Sequence, residues 1–305
     1  MANLLVLFLD GIGLGSDEPD RNPLSAASMP ALRSLLGSRS LVAGSSPFHG
    51  DSASLLALDT QLGIEGMPQS ATGQAVLLTG RNVPAEIGQH YGPKPNPDVA
   101  AILSEHNLFM EVQRRGGTAA LLNAYPPRYF KVIESKLRLY SAIPMAANAA
   151  GIPLMTAEDL QKGRAISPDF TGDGWAAQPD FPPAPVYTPV EAGALLAKLS
   201  REYDLAWFDY WLSDYAGHRG SREQAIELLE TFDRVISGLN AHRETSKTLI
   251  VITSDHGNLE DLEAKGHTHN PVPLVLIGPR ELRDRFCEDL NDLTSFYESA
   301  LRVIF

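Results

Sequence analysis

The 305-residue sequence predicts an α/β fold with a mostly parallel central sheet and helices on both faces. Apolar or β-branched runs such as Leu4–Leu9 and Thr248–Thr253 are typical of strands buried on both faces of a parallel sheet. Helical and strand patterns alternate, as in Asn107–Arg115 followed by Thr118–Ala124, and this order is typical of βαβ units. Ligands of open α/β sheets bind at the carboxyl ends of the strands, where we therefore expect functional residues.

The N-terminal part contains two further predicted helices. Ser28 is a candidate cap for a helix over Pro30–Leu36, which has Pro in its first turn and Gly37 at its end. Ser70 is a candidate cap for a second helix that ends at Gly80. Two segments carry no predicted element: residues 41–66, which show no clear pattern, and the proline-rich residues 83–105.

The middle of the chain is irregular. Only residues 142–150 and 157–162 favour short helices, and residues 167–189 are rich in Pro, Gly and Asp. We interpret residues 126–188 as a small lid inserted in a single domain that spans residues 1–305. The regular pattern then returns with the following predicted elements: helix Pro189–Tyr203, strand Leu205–Phe208, helix Ser221–Leu239, strand Thr248–Thr253, strand Leu274–Ile277 and helix Asn291–Ile304.

Composition excludes several classes of function. The chain has 25 basic and 37 acidic residues and a formal net charge of −12, which argues against nucleic acid or a membrane surface as a partner. Cys287 is the only cysteine, so one chain cannot form a disulfide framework or a thiolate zinc site. No apolar run approaches the roughly 20 residues of a membrane span, and the N-terminus has no basic leader. We expect a cytoplasmic protein.

A glycine-rich turn after the first predicted strand raises the alternative of a nicotinamide enzyme. The turn Gly11-Ile-Gly-Leu-Gly15 lacks the third glycine of the dinucleotide fingerprint, because Ser16 stands at that position. The carboxylate of Asp10 would also repel a pyrophosphate. This turn therefore favours another chemistry.

Three predicted strands are followed by acids. Asp10, the segment that contains Asp209 and Asp214, and Asp255 would meet at one edge of a parallel sheet, where unpaired carboxylates repel one another. Either their pKa values rise or cations hold them. Three histidines lie in the same segments: His218, His256 and His267. Carboxylate oxygen and imidazole nitrogen together are the ligand set of Zn²⁺ and Mn²⁺, so the sequence predicts a metal centre.

Five sequence features carry a family resemblance. They are Asp10, Ser70-Ala-Thr-Gly-Gln74, Asp214-x-x-x-His218, Asp255-His256-Gly-Asn258 and His267-Thr-His-Asn-Pro-Val-Pro273. In this order the sequence resembles the alkaline phosphatase superfamily along nearly its whole length. It is most similar to the branch of cofactor-independent phosphoglycerate mutases and phosphopentomutases. The resemblance implies an alkaline-phosphatase-like core and two divalent metal ions, Mn or Zn.

The same resemblance implies a role for each residue. One metal would be held by Asp214, His218 and His267. The other would be held by Asp10, Asp255, His256 and the Ser70 oxygen, with Ser70 as the nucleophile that takes a phosphoryl group and Thr72 as the alternative. The partner would be a small phosphorylated molecule. Two candidate substrate-binding residues are Arg81, a phosphate clamp or a surface arginine, and His269.

Two departures from the family pattern bear on the reaction. Mutases of the family carry a large inserted cap, whereas only residues 126–188 remain for a lid here. Gln74 also stands where the mutases often have histidine. Because a hydrolase must admit water and a mutase must exclude it, we predict hydrolysis of a small phosphoester. The alternatives are a phosphomutase and a metal-binding protein that has lost turnover.

Overall fold

The central sheet of the computed structural model, which describes residues 2–264 and 266–305, has two differently built halves. Its strands in chain order are β1 Asn3–Leu9, β2 Phe48–His49, β3 Ala53–Leu58, β4 Ala119–Leu121, β7 Leu205–Tyr210, β8 Thr248–Thr253 and β9 Val272–Ile277. They lie in the order β2-β3-β9-β8-β1-β7-β4. β4, β7, β1 and β8 are mutually parallel. On the other side of β8, β9 is antiparallel to β8, β3 to β9, and β2 to β3.

The predicted α/β class is confirmed, and the sheet is mixed, not purely parallel. The prediction drew on βαβ units, whose strands run parallel to each other. The segment between β8 and β9 contains no helix among its described residues, so it needs no crossover and β9 can return antiparallel. β2 and β3 form a hairpin within residues 41–66, a segment whose sequence shows no clear pattern.

Helices cover both faces of the sheet, as predicted. Along β1 the side chains alternate: Leu4, Val6 and Phe8 enter one apolar core and Leu5, Leu7 and Leu9 the other. The longer helices in chain order are α3 Ser70–Thr79, α5 Pro97–Glu105, α6 Leu108–Arg114, α7 Pro127–Glu134, α8 Ala142–Ala149, α11 Pro189–Ser200, α12 Leu212–Arg219, α13 Arg222–His242, α14 Arg280–Cys287 and α15 Phe296–Ile304. The shorter ones are α1 Pro23–Ala26, α2 Pro30–Leu35, α4 Val83–Ile87, α9 Ala157–Gln161 and α10 Asp173–Ala176.

Several predicted boundaries are corrected by the structure. Residues 83–105 are largely helical, because Pro84 and Pro97 occupy first turns, where their missing N–H costs nothing. Ser28 does not cap α2. The N–H groups of Ala31 and Leu32, in the first turn of α2, instead donate to the carboxylate of Asp233 on α13. The predicted strand 118–124 ends at Leu121, and the C-terminal helix starts only at Phe296.

The predicted lid region divides into two parts. α8 packs on α3, α5 and α6, and its buried residues belong to the main core. The remainder includes β6 Met155–Thr156, which pairs with β5 Ala124–Tyr125 just before the region, and a separate apolar cluster around Trp175. The lid role of this remainder stays a prediction. In the described residues, no helix is long and apolar enough to cross a membrane.

Candidate metal centre

The acidic edge of the sheet is built from chain segments that meet at the ends of β1, β7 and β8. Asp10 follows β1 directly, and Asp255 follows β8 by two residues. Asp214 lies on α12, just after β7. Because β9 is antiparallel to β8, the start of β9 lies at this same edge, and His267 is in the segment before it. Helix α3, which carries the candidate nucleophile, begins here with Ser70.

The first cluster joins Asp10, Ser70, Asp255 and His256. His256 Nε2 lies 3.0 Å from Ser70 Oγ, 3.4 Å from Asp10 Oδ1 and 3.6 Å from Asp255 Oδ2. All four residues are buried. Donor atoms from the three titratable residues lie within 4.8 Å of one another. Four potential ligand atoms therefore converge on one small volume, as the sequence resemblance implies.

The second cluster joins Asp214, His218 and His267. His218 Nε2 lies 3.4 Å from Asp214 Oδ1 and 3.2 Å from His267 Nε2, which is itself 3.8 Å from Asp214 Oδ1. His267 Nδ1 lies 2.7 Å from the carbonyl oxygen of Pro68, a partner that makes Nδ1 the donor and leaves Nε2 free as a ligand. The rings of His256 and His267 stack at 3.7 Å, so the two clusters are adjacent.

The electrostatics of the site fit bound cations. Burial, and then the neighbouring carboxylate of Asp255, raises the pKa of Asp10 well above its ordinary value. Burial raises the pKa of Asp255 to about 6 and lowers that of His256 to about 3. The Oδ1 atom of Asp10 has no hydrogen-bond partner in the described part of the chain. An unpartnered carboxylate oxygen beside a neutral imidazole is the donor set that a divalent metal takes.

Two amide side chains donate hydrogen bonds to the carboxylates of the clusters. Gln74 Nε2 donates to Asp255 Oδ2 at 3.1 Å and to Asp10 Oδ2 at 3.3 Å. Asn258 Nδ2 donates to Asp214 Oδ1 at 2.6 Å. Gln74 thus spans two potential ligands of the first cluster, and Asn258 orients one ligand of the second.

Sequence reasoning missed Glu260, which is 1% exposed. Its carboxylate accepts hydrogen bonds from the backbone N–H groups of Gly13 and Asn258 at 2.9 and 2.8 Å. It also accepts from the hydroxyl of Thr268 and, at 3.0 Å, from the amide of Asn270. Glu260 therefore ties together three loops that carry the metal-ligand candidates. Its position two residues after the Asp255-His-Gly-Asn258 motif was the available signal.

Asp209, at the end of β7, was noted in the sequence only as part of the acidic segment. It is buried, and its Oδ1 lacks a hydrogen-bond partner among the described residues. Burial, with a smaller contribution from Asp255, raises its pKa to about 7. The structure thus adds a fourth carboxylate at this edge.

The structure places Arg81 away from its predicted role, whereas the predicted role of His269 stays a prediction. Arg81 lies beyond the C-terminal end of α3, about 15 Å from Ser70 by the rise of a helix. There it forms ion pairs with Glu86 and Glu105, so the structure does not bring it to the clusters. His269 is exposed and close enough to His90 to contribute, after burial, to the lowered pKa of that histidine.

His90 belongs to a cleft beside the first turn of α3. The cleft has a volume of about 380 Å³ and is lined in part by Gln69, His90, Tyr91 and Gly92. The hydroxyl of Thr72, the alternative candidate nucleophile, accepts a hydrogen bond from the N–H of Tyr91 at 3.1 Å. This bond fixes Tyr91 in the lining of the cleft. Ser70 is thus the hydroxyl that faces the clusters.

Comparison with known proteins agrees with this geometry. Residues 189–296 match the family model described as Metalloenzyme superfamily. The 2,3-bisphosphoglycerate-independent phosphoglycerate mutase of Roseobacter denitrificans is 34% identical over 107 residues, which cover 32% of this chain and 21% of that protein. The match therefore spans about a fifth of the relative's length.

Two solved structures share the fold over nearly the whole chain. Alkaline phosphatase from Thermus thermophilus superposes with a TM-score of 0.57 at 12% identity, covering 99% of this chain and 91% of that one. Phosphoglycerate mutase from Leishmania mexicana superposes with a TM-score of 0.51 at 11% identity, covering 99% and 95%. At these identities the likeness concerns the fold.

Proposed function

We propose that this chain, a member of the alkaline phosphatase superfamily as its sequence features predicted, transfers phosphoryl groups through a phosphoserine at Ser70. The observation that carries the proposal is the position of Ser70 Oγ, 3.0 Å from His256 Nε2 and at the first residue of α3. A hydroxyl that points at two clusters of potential metal ligands is placed to act as a nucleophile.

The two clusters suit two divalent ions, Mn or Zn. Asp10, Asp255, His256 and Ser70 would hold one ion, and Asp214, His218 and His267 the other. When bound, a pair of such ions lowers the pKa of a hydroxyl and stabilises the charge that develops on the attacking and leaving oxygens. Their charge would also offset the acidic edge and admit a phosphate.

The chain's own groups suit both halves of the reaction. Ser70 Oγ would form a bond to phosphorus as the bond to the leaving oxygen breaks, and the leaving group would take up a proton. The positive end of the α3 dipole lies at Ser70, where it favours the phosphate oxygens. Water would then attack phosphorus, releasing phosphate and restoring the Ser70 hydroxyl.

Hydrolysis of a small phosphoester is the outcome that the lid region favours. α8 packs into the core, so only the rest of residues 126–188 is left to cover the site. A cover of that size is poorly suited to keep water from a phosphoenzyme. The 34% identity over 107 residues to a phosphoglycerate mutase supports a second candidate, a phosphomutase.

The test is a substrate panel on metal-analysed protein with and without added Mn²⁺. We expect about two divalent ions per chain and release of inorganic phosphate from aryl phosphates. The variant Ser70→Ala should keep its metal while kcat falls at least about 10³-fold, since it lacks the nucleophile. Thr72→Val, which removes the neighbouring hydroxyl, should keep most of the activity.

The same panel separates the alternatives. Interconversion of phosphoglycerate isomers without phosphate release, followed by ³¹P NMR, would identify a mutase. Bound metal without turnover of any phosphate ester would identify a metal-binding protein. Full activity in Ser70→Ala, or protein that binds no stoichiometric divalent metal, contradicts the phosphoserine proposal.

A further inference from the structure

Gln74 lies on the same face of α3 as Ser70, one turn further along the helix. Residues four apart on a helix are neighbours on its surface, and both side chains contact the first cluster. A Cβ placed on Gly73 would lie 2.8 Å from the carbonyl oxygen of Asp255, so α3 is packed against the loop after β8. The helix therefore places the buried amide of Gln74 among the carboxylates.

The amide of Gln74 occupies one oxygen of each carboxylate in the first cluster. Its Nε2 donates to Oδ2 of Asp10 at 3.3 Å and to Oδ2 of Asp255 at 3.1 Å. An amide nitrogen carries two hydrogens, so it can donate to both acceptors at once. One side chain thus holds two carboxylates that come from different strands.

The remaining oxygens of the two carboxylates differ in their partners. Asp10 Oδ1 lies 3.4 Å from His256 Nε2 and has no hydrogen-bond partner in the described part of the chain. Asp255 Oδ1 accepts from the backbone N–H groups of His256 and Gly11, at 3.0 and 3.4 Å. Asp255 Oδ2 lies 3.6 Å from His256 Nε2. Each carboxylate therefore directs one oxygen at the cluster, Oδ1 from Asp10 and Oδ2 from Asp255.

The first cluster consequently offers four single donor atoms. They are Asp10 Oδ1, Asp255 Oδ2, Ser70 Oγ and His256 Nε2. Zinc in proteins is commonly held by four ligands, whereas Mn²⁺ suits sites with more ligands, mostly oxygens. A carboxylate that used both of its oxygens would add a ligand and favour Mn²⁺. The hydrogen bonds of Gln74 oppose that arrangement.

We propose that Gln74 is a positioning residue that limits Asp10 and Asp255 to one ligand oxygen each, and that the first cluster thereby prefers Zn²⁺ to Mn²⁺. This inference rests on the proposed function and narrows the choice between the two ions at the cluster that contains Ser70. Gln74 acts through the two carboxylates. Hydrogen bonds to metal-ligating side chains fix their orientation and tune the bound metal.

The test measures the affinity of metal-free protein for Zn²⁺ and for Mn²⁺ by competition with a chromophoric chelator. A His218→Ala background leaves the second cluster with two donors, so that the titration reports the first cluster. In this background Gln74→Met, which keeps the side-chain length without an N–H donor, should lower the Zn²⁺ affinity about 10–100-fold. The Mn²⁺ affinity should stay within about twofold, because the freed Oδ2 of Asp10 becomes an additional ligand. The ratio of Zn²⁺ to Mn²⁺ affinity should therefore fall about fivefold or more.

Two further variants complete the test. Gln74→Glu has the shape of glutamine without its N–H donors, and it should lower the ratio in the same direction even if Gln74→Met does not fold. Asn258→Leu removes the amide that donates to Asp214 in the second cluster, and it should leave the ratio unchanged. An equal loss of affinity for both metals in the Gln74 variants, an unchanged ratio, or the same fall in Asn258→Leu would refute the role of Gln74.

Metal titration requires no turnover, so it separates this inference from the proposed function. A lowered ratio in the Gln74 variants of a chain that turns over no phosphate ester supports the role of Gln74 and contradicts the phosphoserine proposal. An unchanged ratio in variants of a chain that hydrolyses aryl phosphates through Ser70 has the opposite meaning. A wild-type chain that binds neither ion contradicts both.

Discussion

Asp209 is a residue whose burial makes the metal-free protein sensitive to pH. Its side chain is buried, one carboxylate oxygen has no partner in the described residues, and its pKa is raised to about 7 from an ordinary value of 3.8. The folded state therefore keeps a proton that the unfolded state has already released. Stability from this group is present below about pH 4 and is lost as the pH rises towards 7.

We predict that Asp209→Asn removes this loss. Between pH 4 and pH 8 the metal-free wild-type protein should lose about 4 kcal/mol more unfolding free energy than the variant, because three pKa units correspond to that amount. Urea unfolding in the presence of a chelator measures the difference. The exposed Asp180→Asn should follow the wild-type curve. Parallel pH profiles for wild type and Asp209→Asn would contradict the assignment.

At the scale of elements, Glu260 connects three loops by hydrogen bonds. Glycines allow its close approach: a Cβ on Gly13 or Gly257 would lie 2.3 or 2.2 Å from Glu260 Oε1. Since the loops carry His267, His256 and Asp10, the geometry of both clusters depends on one carboxylate that contacts no ligand atom directly. Glu260 is a positioning residue.

The variant Glu260→Gln should weaken metal binding 10–100-fold, as is typical when a group that supports metal ligands is lost. The glutamine amide would place an N–H donor opposite two of the four groups that now donate to the Glu260 carboxylate. Competition with a chromophoric chelator measures the affinity, and Glu263→Gln, an exposed acid nearby, is the matched control. Unchanged affinity in Glu260→Gln, or an equal loss in Glu263→Gln, would show that the loops hold without this carboxylate.

Local sequence patterns predicted helices and strands well where hydrophobic periodicity and capping residues agreed. They predicted them poorly where a proline is compatible with either a loop or the first turn of a helix. Ser221 caps α13 and the run Thr248–Thr253 forms β8, as expected. Pro84 and Pro97 make residues 83–105 look loop-like in the sequence, although proline is also favoured in the first turn of a helix. Strand direction was not predictable from apolar runs alone, because a buried strand has the same apolar pattern whether it is parallel or antiparallel to its neighbour.

The candidate site was more predictable than the chain path around it. Asp10, Ser70, Asp214, His218, Asp255, His256 and His267 carry their chemistry in short motifs, and the structure brings them into two clusters. Arg81 was predicted to bind substrate because it lies near Ser70 in the sequence. Helix α3 lies between the two residues and separates them in space by about its own length.

At the scale of the whole molecule, the crowded acidic edge predicts that metal stabilises the fold. Ions that bind only the folded chain stabilise it by about 2.7 kcal/mol at a hundredfold excess over Kd. Added Mn²⁺ or Zn²⁺ should therefore raise Tm, and a chelator should lower it, in a concentration-dependent way. Asp255→Asn should flatten this dependence in scanning calorimetry. A Tm that is insensitive to metal would argue that the carboxylates are stable without cations.

The antiparallel direction of β9 has a consequence for how the site can be inherited. Since β8 ends and β9 begins at the same edge, residues 254–271 contain Asp255, His256 and His267 in one continuous stretch. A parallel β9 would have to start at the opposite edge, after a crossover. One short genetic segment therefore contributes to both clusters. Recombination or grafting of that segment would move parts of both clusters together, as a single unit.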